Sequence, residues 1–223
     1  MGGVEVASVA GLFADRSRAA MVELLLDGRD HTVQALARAA GVASSTATGH
    51  LRRLEAGGIV LSRRNGRERV VRLAGPAAAA AYEGLAELSR EQAVSGLRAW
   101  TRREELRAAR TCYDHLAGKL GVAIADAALS AGAIEPDFSL ASSAASWFAR
   151  LGVDLDALPR ARRPLLRVCT DWTERREHLA GTLGAAVCSS ALGSGWVVRR
   201  PSSRALLVTP LGEASLGGLG IAT

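Results

Sequence analysis

Lysine is all but missing from this chain. Lys119 is the one lysine among 28 basic residues, and the others are arginines. With an isoelectric point near 10.2, that balance points to a phosphate or carboxylate partner rather than to a membrane surface. Long apolar runs are missing too: no stretch of about 18 uncharged apolar residues occurs, and no basic segment precedes an apolar one at the start of the sequence. Neither membrane insertion nor export is expected, which places the protein in the cytoplasm. Cysteine is scarce and odd in number, with Cys112, Cys169 and Cys188 the only three. That count excludes a disulfide framework and suits reduced thiols or metal ligands. No phosphate-cradling glycine loop and no nucleophile elbow is present, and no acid, base and nucleophile arrangement is recognisable. What the chain does have is size and apolar content: 223 residues that are 48% hydrophobic, enough for a buried core in one large or two modest domains.

The positive charge is local. Between residues 43 and 73 seven arginines (Arg52, Arg53, Arg63, Arg64, Arg67, Arg69, Arg72) stand against Glu55 and Glu68, which accounts for five of the six net positive charges. Such a cluster is a phosphate-binding surface. Apolar spacing predicts two helices over 5–27, the second capped by Asp15, then a short helix capped by Thr32 and ended by Gly41. The next helix, Ala43 to Ala56, opens on Ser44, Ser45, Thr46 and Thr48, turns Leu51 and Leu54 inward, and stops at Gly57-Gly58. Ile59–Arg63 and Arg67–Leu73 then alternate apolar and charged residues around Asn65-Gly66, a strong hairpin signal. Helix, glycine turn, helix and hairpin make a helix-turn-helix with an arginine-bearing wing. The segments "LARAAGVASSTATGH", "HLRRLEAGGIV" and "RNGRERVVRL" resemble the winged helix-turn-helix of ArsR/SmtB-type repressors, and the resemblance spans roughly residues 5 to 90. It implies that Ser44, Ser45, Thr46, Thr48, His50, Arg52, Arg53, Arg64, Asn65 and Arg67 meet double-stranded DNA. It also implies that the alanine-rich segment after Pro76, which runs through Tyr82, Leu85 and Leu88 toward Trp100 and Leu106, pairs two protomers together with the first helix. A homodimer also suits the physics, since two recognition helices reach successive major grooves. The metal sites usual in that family are missing: "VQALARAA" holds no Cys-x-Cys pair, and "AAAAAYEGLAEL" holds no histidine.

The second half carries its own signature. "HLAGKLGVA" at 115–123 and "HLAGTLGAA" at 178–186 share seven of nine residues at a separation of 63. Each copy is expected to open an apolar helix, with helices near 112–131, 141–151 and 171–193, loops over 132–140 and 152–164, and a hairpin in "WVVRRPSSRALLVTP". The half therefore reads as a degenerate winged-helix-like module. "RARRP" at 160–164 reads as a solvated charged run. Cys112 and His115, three apart, would share a helix face. Convergence of Cys112, His115, Cys169 and His178, with Asp171 and Trp172 nearby, would make a nitrogen and sulfur set for a zinc-like divalent ion. Buried cysteine and a packed histidine are the plainer reading of the same residues. An organic effector pocket lined by Trp147, Trp172 and Trp196 is a third, and oxidation of Cys112 beside His115 a fourth. Cys188 belongs in a core.

The fold expected is mainly α with small β-hairpin wings. Residues 1–90 form the DNA-binding domain, 91–111 a linking helix and 112–223 a sensing or dimerisation domain. The function expected is a non-enzymatic, DNA-binding transcriptional regulator, a repressor whose DNA affinity is modulated through the C-terminal half. The alternative is a metal- or thiol-handling protein or enzyme built on the Cys/His cluster, with the N-terminal half serving assembly.

Overall fold

The computed structural model describes residues 5–89, 96–159, 163–201 and 203–223. The described residues fall into two compact units, one of 5–85 with 203–204 and one of 86–201 with 205–223. The first unit begins with α1 (Val6–Phe13) and α2 (Arg16–Leu25). Asp15 separates them, its carboxylate accepting the Arg18 N–H at 2.9 Å as an N-cap. The buried Arg18 side chain donates back to the carbonyls of Leu12 and Gly11 and so closes the end of α1. β1 (His31–Thr32) leads into α3 (Val33–Ala40), capped by the Thr32 hydroxyl and ended by Gly41 in the left-handed conformation at φ 66°. α4 (Ser44–Ala56) follows, then the antiparallel pair β2 (Val60–Asn65) and β3 (Glu68–Leu73), with β1 on the far side of β3. Met21, Leu25, Leu36, Leu51, Leu54 and Val71 are fully buried, so each helix of the helix-turn-helix is held by its apolar face.

The wing turns one residue later than Asn65-Gly66. Asn65 pairs with Glu68, leaving Gly66-Arg67 as the two-residue loop, and Gly66 takes the positive φ of 61° that the first position of such a hairpin loop requires. The register explains the shift: Val60 faces Leu73 and Ser62 faces Val71, and a slip of one residue would turn the apolar side of the wing to solvent.

α5 (Pro76–Leu88) ends well before Trp100. Helix resumes only as α6 (Leu97–Ala108), after Gly96 at φ 94°. The expected linking helix over 91–111 is thus helical from Leu97 to Ala108; residues 91–95 lie outside the described residues, and Arg110 and Thr111 belong to a strand.

In the second unit β4 (Arg110–Cys112) and β5 (His115–Ala117) form a hairpin that runs into α7 (Gly118–Ser130), followed by the short α8 (Ala144–Ala149). β6 (Arg167–Asp171) and β7 (Arg176–Ala180) form a second hairpin that runs into α9 (Gly181–Gly193). β8 (Val197–Arg199) and β9 (Leu206–Val208) make the expected last hairpin, and α10 (Pro210–Gly217), absent from the sequence reading, closes the chain. The repeat is therefore a hairpin followed by a helix. The helices expected over 112–131 and 171–193 begin only at Gly118 and Gly181, and the one expected over 141–151 is confined to Ala144–Ala149. Gly118 (φ 77°) and Gly181 (φ 81°) make the strand-to-helix bend, where an added Cβ would lie 2.6 Å from the Arg107 carbonyl or 2.8 Å from the Pro164 carbonyl. The "RARRP" run falls largely on residues 160–162, outside the described residues.

The two copies pack reciprocally, α7 on β7 and α9 on β5. Leu116, Leu120, Leu179 and Leu183, all repeat residues, share one core with Ile124, Phe148 and Val197. Closeness explains the second repeated glycine. A methyl at Gly184 would lie 2.3 Å from the Leu179 carbonyl and 3.2 Å from His115 Cβ, and one at Gly121 would meet the Leu116 carbonyl at 2.5 Å and His178 Cβ at 3.5 Å. Gly184→Ala should lower unfolding stability by about 1–3 kcal/mol, the usual cost of overpacking. Gly193→Ala, where a Cβ meets nothing within 4 Å, should leave it unchanged or slightly raised. Urea denaturation of the two variants checks this contrast.

Candidate nucleic-acid interface and a cysteine–histidine cluster

α4 presents its hydroxyls outward. Ser44, Ser45 and Thr46 are exposed, and the N-cap position is Ala43 with no side-chain capping bond, so these hydroxyls are not consumed as helix caps. The α4 N-terminus also offers its backbone N–H groups, a natural contact for phosphate. Thr48 is half-buried and donates to the Ser44 carbonyl at 2.8 Å. His50 turns away from this surface: its Nδ1 lies 3.6 Å from Asp15 Oδ1 and its side chain is 17% exposed, which assigns it to holding α4 on the start of α2.

The seven arginines divide into two groups. Arg63 pairs with Asp30 at 2.5 Å. Arg69 pairs with Glu55 at 2.6 Å and donates to the Ser62 hydroxyl, which itself bonds Glu55. This small network ties the wing to the last turn of α4. Arg52, Arg53, Arg64, Arg67 and Arg72 are exposed and make no ion pair among the described residues. Asn65 is exposed at the wing's end and Arg67 lies in its loop. The surface left open is therefore a hydroxyl-rich helix start flanked by cations.

In the second unit the cross-strand register pairs Cys112 with His115 on one hairpin and Cys169 with His178 on the other. The helical spacing expected of Cys112 and His115 does not hold; they face each other across a tight turn whose Tyr113 has φ 62°. One ligand atom from each of the four residues lies within 4.8 Å of every other. The two sulfurs are 3.9 Å apart, and the imidazoles stack with centroids at 5.1 Å. Cys112, His115 and His178 are buried and Cys169 is half-buried.

Electrostatics prime this cluster. The Cys112 thiol, together with the His115 and His178 rings, holds the Cys169 thiol far below its ordinary pKa despite burial. Burial works against a charged His115, yet Asp114 and Cys169 raise its pKa above the usual value. Asp114 Oδ1 lies 3.3 Å from His115 Nδ1 and is gripped by Arg163. Burial opposes the ionised form of Asp114 too, but the bonds to His115 and Arg163 hold its pKa at about 2. Cys188 behaves oppositely, since burial in the α9 core pushes its thiol up to about 11.

Asp171 and Trp172 do not join the four. Asp171 is fully buried and forms an ion pair with the equally buried Arg110 at 2.9 Å, while accepting the Gly118 N–H at 2.6 Å and the Thr173 hydroxyl at 2.6 Å. Arg110 also donates to the Leu106 carbonyl and to the Thr173 hydroxyl, and its guanidinium lies 5.0 Å from the Trp172 ring centroid. Asp171 thus locks the two repeats together and approaches the cluster only through His178 Nδ1, at 3.8 Å. Trp147 is spent on packing against Phe148. Arg110 has no signal in the sequence, because a single arginine before a three-residue strand looks like any surface cation.

No family model matches the chain. The chain is 35% identical over 211 residues to the uncharacterized HTH-type transcriptional regulator YdfF of Bacillus subtilis (strain 168), an alignment that covers 93% of both proteins. The chain belongs to the HTH-type transcriptional regulators. Solved structures similar to part of this HTH-type regulator include the homodimeric winged helix-turn-helix DNA-binding domain of Mb0332 from Mycobacterium bovis, a possible ArsR-family transcriptional regulator. It is 30% identical, over 40% of this chain and 87% of that one, with a TM-score of 0.32. The transcriptional repressor BigR from Xylella fastidiosa is 27% identical over 40% of this chain and 89% of its own, with a TM-score of 0.35. Among the described residues no helix is long and apolar enough to cross a membrane.

Proposed function

We propose that this HTH-type regulator acts as a homodimeric, non-enzymatic repressor that binds duplex DNA through α4 and the β2–β3 wing, and that its second half sets that affinity. One observation carries the reading: three exposed hydroxyls at an uncapped helix start stand in the same unit as five arginines without ion-pair partners. A surface that merely needed solubility would have no reason to leave so many cations unpaired, whereas phosphates would pair them. Ser44, Ser45 and Thr46 would meet base edges or the nearest phosphate, while Arg52, Arg53, Arg64, Asn65 and Arg67 would position the backbone. His50 and Thr48 hold α4 and drop out of the contact set.

Dimerisation is favoured by apolar side chains that the single chain leaves exposed on two helices, Val6 and Val9 on α1 and Leu85 and Leu88 on α5. Pairing there would present two copies of α4 to half-sites about 34 Å apart, one helical turn of duplex. Selection of bound sequences from a randomised duplex pool tests the base-reading role of Ser45. The Ser45→Ala variant should bind with altered preference at one base pair per half-site, worth about 1–3 kcal/mol. An unchanged selected motif would remove Ser45 from the reading surface.

A further inference from the structure

We propose that Cys112, His115, Cys169 and His178 form a closed, tetrahedral site for a divalent transition metal of the zinc class. Each hairpin supplies one cysteine and one histidine at facing positions of its register, so the repeat delivers two sulfur and two nitrogen donors to one point. With metal–sulfur bonds of about 2.3 Å, the sulfurs of a tetrahedral centre stand roughly 3.8 Å apart; here they stand at 3.9 Å. The remaining donor atoms already lie within 4.8 Å of one another, so loading requires only small side-chain rotations.

The nitrogens call for such a partner. His115 and His178 are 6% and 1% exposed, yet His115 Nε2 and both ring nitrogens of His178 have no hydrogen-bond partner among the described residues. Buried polar atoms are seldom left so. A carboxylate lies beside each Nδ1, Asp114 at 3.3 Å and Asp171 at 3.8 Å. The Asp114 contact orients the His115 ring and leaves its Nε2 to the ion, whereas Asp171 stands beyond hydrogen-bond reach of His178. Two thiolates also balance a divalent charge, so the loaded site is neutral and its burial costs little. The repeated residues serve the same geometry: Gly118 and Gly181 bend each strand into its helix, and Gly121 and Gly184 let the helices reach the opposite histidine. Four protein ligands leave no open position, so the site binds metal and does not perform metal catalysis.

X-ray absorption on the zinc-loaded, full-length protein tests the site without any substitution. The expected first shell is two sulfurs at about 2.3 Å and two nitrogens at about 2.0–2.1 Å, at one ion per chain. A shell of oxygen and nitrogen alone would overturn the proposal. Cobalt titration of the reduced apo-protein should give the intense visible bands of tetrahedral, thiolate-bound cobalt, abolished in Cys112→Ser/Cys169→Ser and retained in Cys188→Ser. Retention of the bands in the double variant would also sink the site. So would a reduced protein that takes up no metal but forms a Cys112–Cys169 disulfide on mild oxidation, which would make the pair a redox element instead.

Discussion

Replacing Arg110 with alanine should destabilise the second unit by about 3–5 kcal/mol, the usual cost of removing one partner from a buried ion pair, and should lower its denaturation midpoint accordingly. Both side chains are fully buried. Asp171 would keep its bonds from Gly118 and Thr173 but lose its counter-charge, the Leu106 carbonyl would lose its guanidinium donor, and the Trp172 ring would lose the cation that lies over it. The pH dependence gives a second signature. Burial works against the ionised Asp171, but Arg110 and the surrounding donors outweigh it and hold the carboxyl well below the ordinary range. A carboxyl depressed in the folded state stabilises above its unfolded pKa of about 3.9 and loses that contribution as the pH falls below it. The wild type should therefore lose stability steeply on acidification below about pH 4, and Arg110→Ala more shallowly, because its Asp171 titrates closer to the unfolded value. Equal acid limbs would mean that Arg110 does not set the Asp171 pKa.

The second large effect belongs to the wing. Arg64→Ala/Arg67→Ala should weaken binding to specific and unrelated duplexes alike and flatten the dependence on salt. Each lost phosphate contact removes about 0.9 from the slope of log affinity against log salt, so a dimer that loses four should show a slope lower by about 3.6. Arg69→Ala should act differently. Its guanidinium is engaged by Glu55 and Ser62, so its loss loosens the wing from α4. A salt slope unaffected by the double substitution would show that this hairpin does not touch DNA.

How far the sequence reveals this molecule depends on whether local chemistry punctuates the chain. In the first unit it does: Asp15, Thr32, Gly41 and the Gly57-Gly58 pair sit at helix ends, and the apolar spacing between them is helical. The turn residue missed in the wing, Arg67 after Gly66, follows from register, which only the packed face decides. In the second unit the repeat is plain but its structure is hidden. His-Leu-Ala is too short to show a two-residue period, and Tyr113 at φ 62° is no turn-former. Cys112 and His115 therefore look like helix neighbours. Their convergence with Cys169 and His178 is legible from the repeat nonetheless, though it arises by cross-strand pairing. α10 had a signal in Thr209-Pro210, a cap followed by proline at the first helical position, whereas the Arg110–Asp171 lock had none.

Fluorescence anisotropy of the wild-type protein on the duplex upstream of its own coding sequence, against a scrambled duplex of equal length, tests the central claim most directly, with the zinc-loaded and chelator-treated protein compared at two salt concentrations. Binding should be tighter to the upstream duplex, should fall steeply with salt on both duplexes, and should differ in specific affinity between the two protein states. Equal affinity for the two duplexes at every salt concentration would contradict the claim.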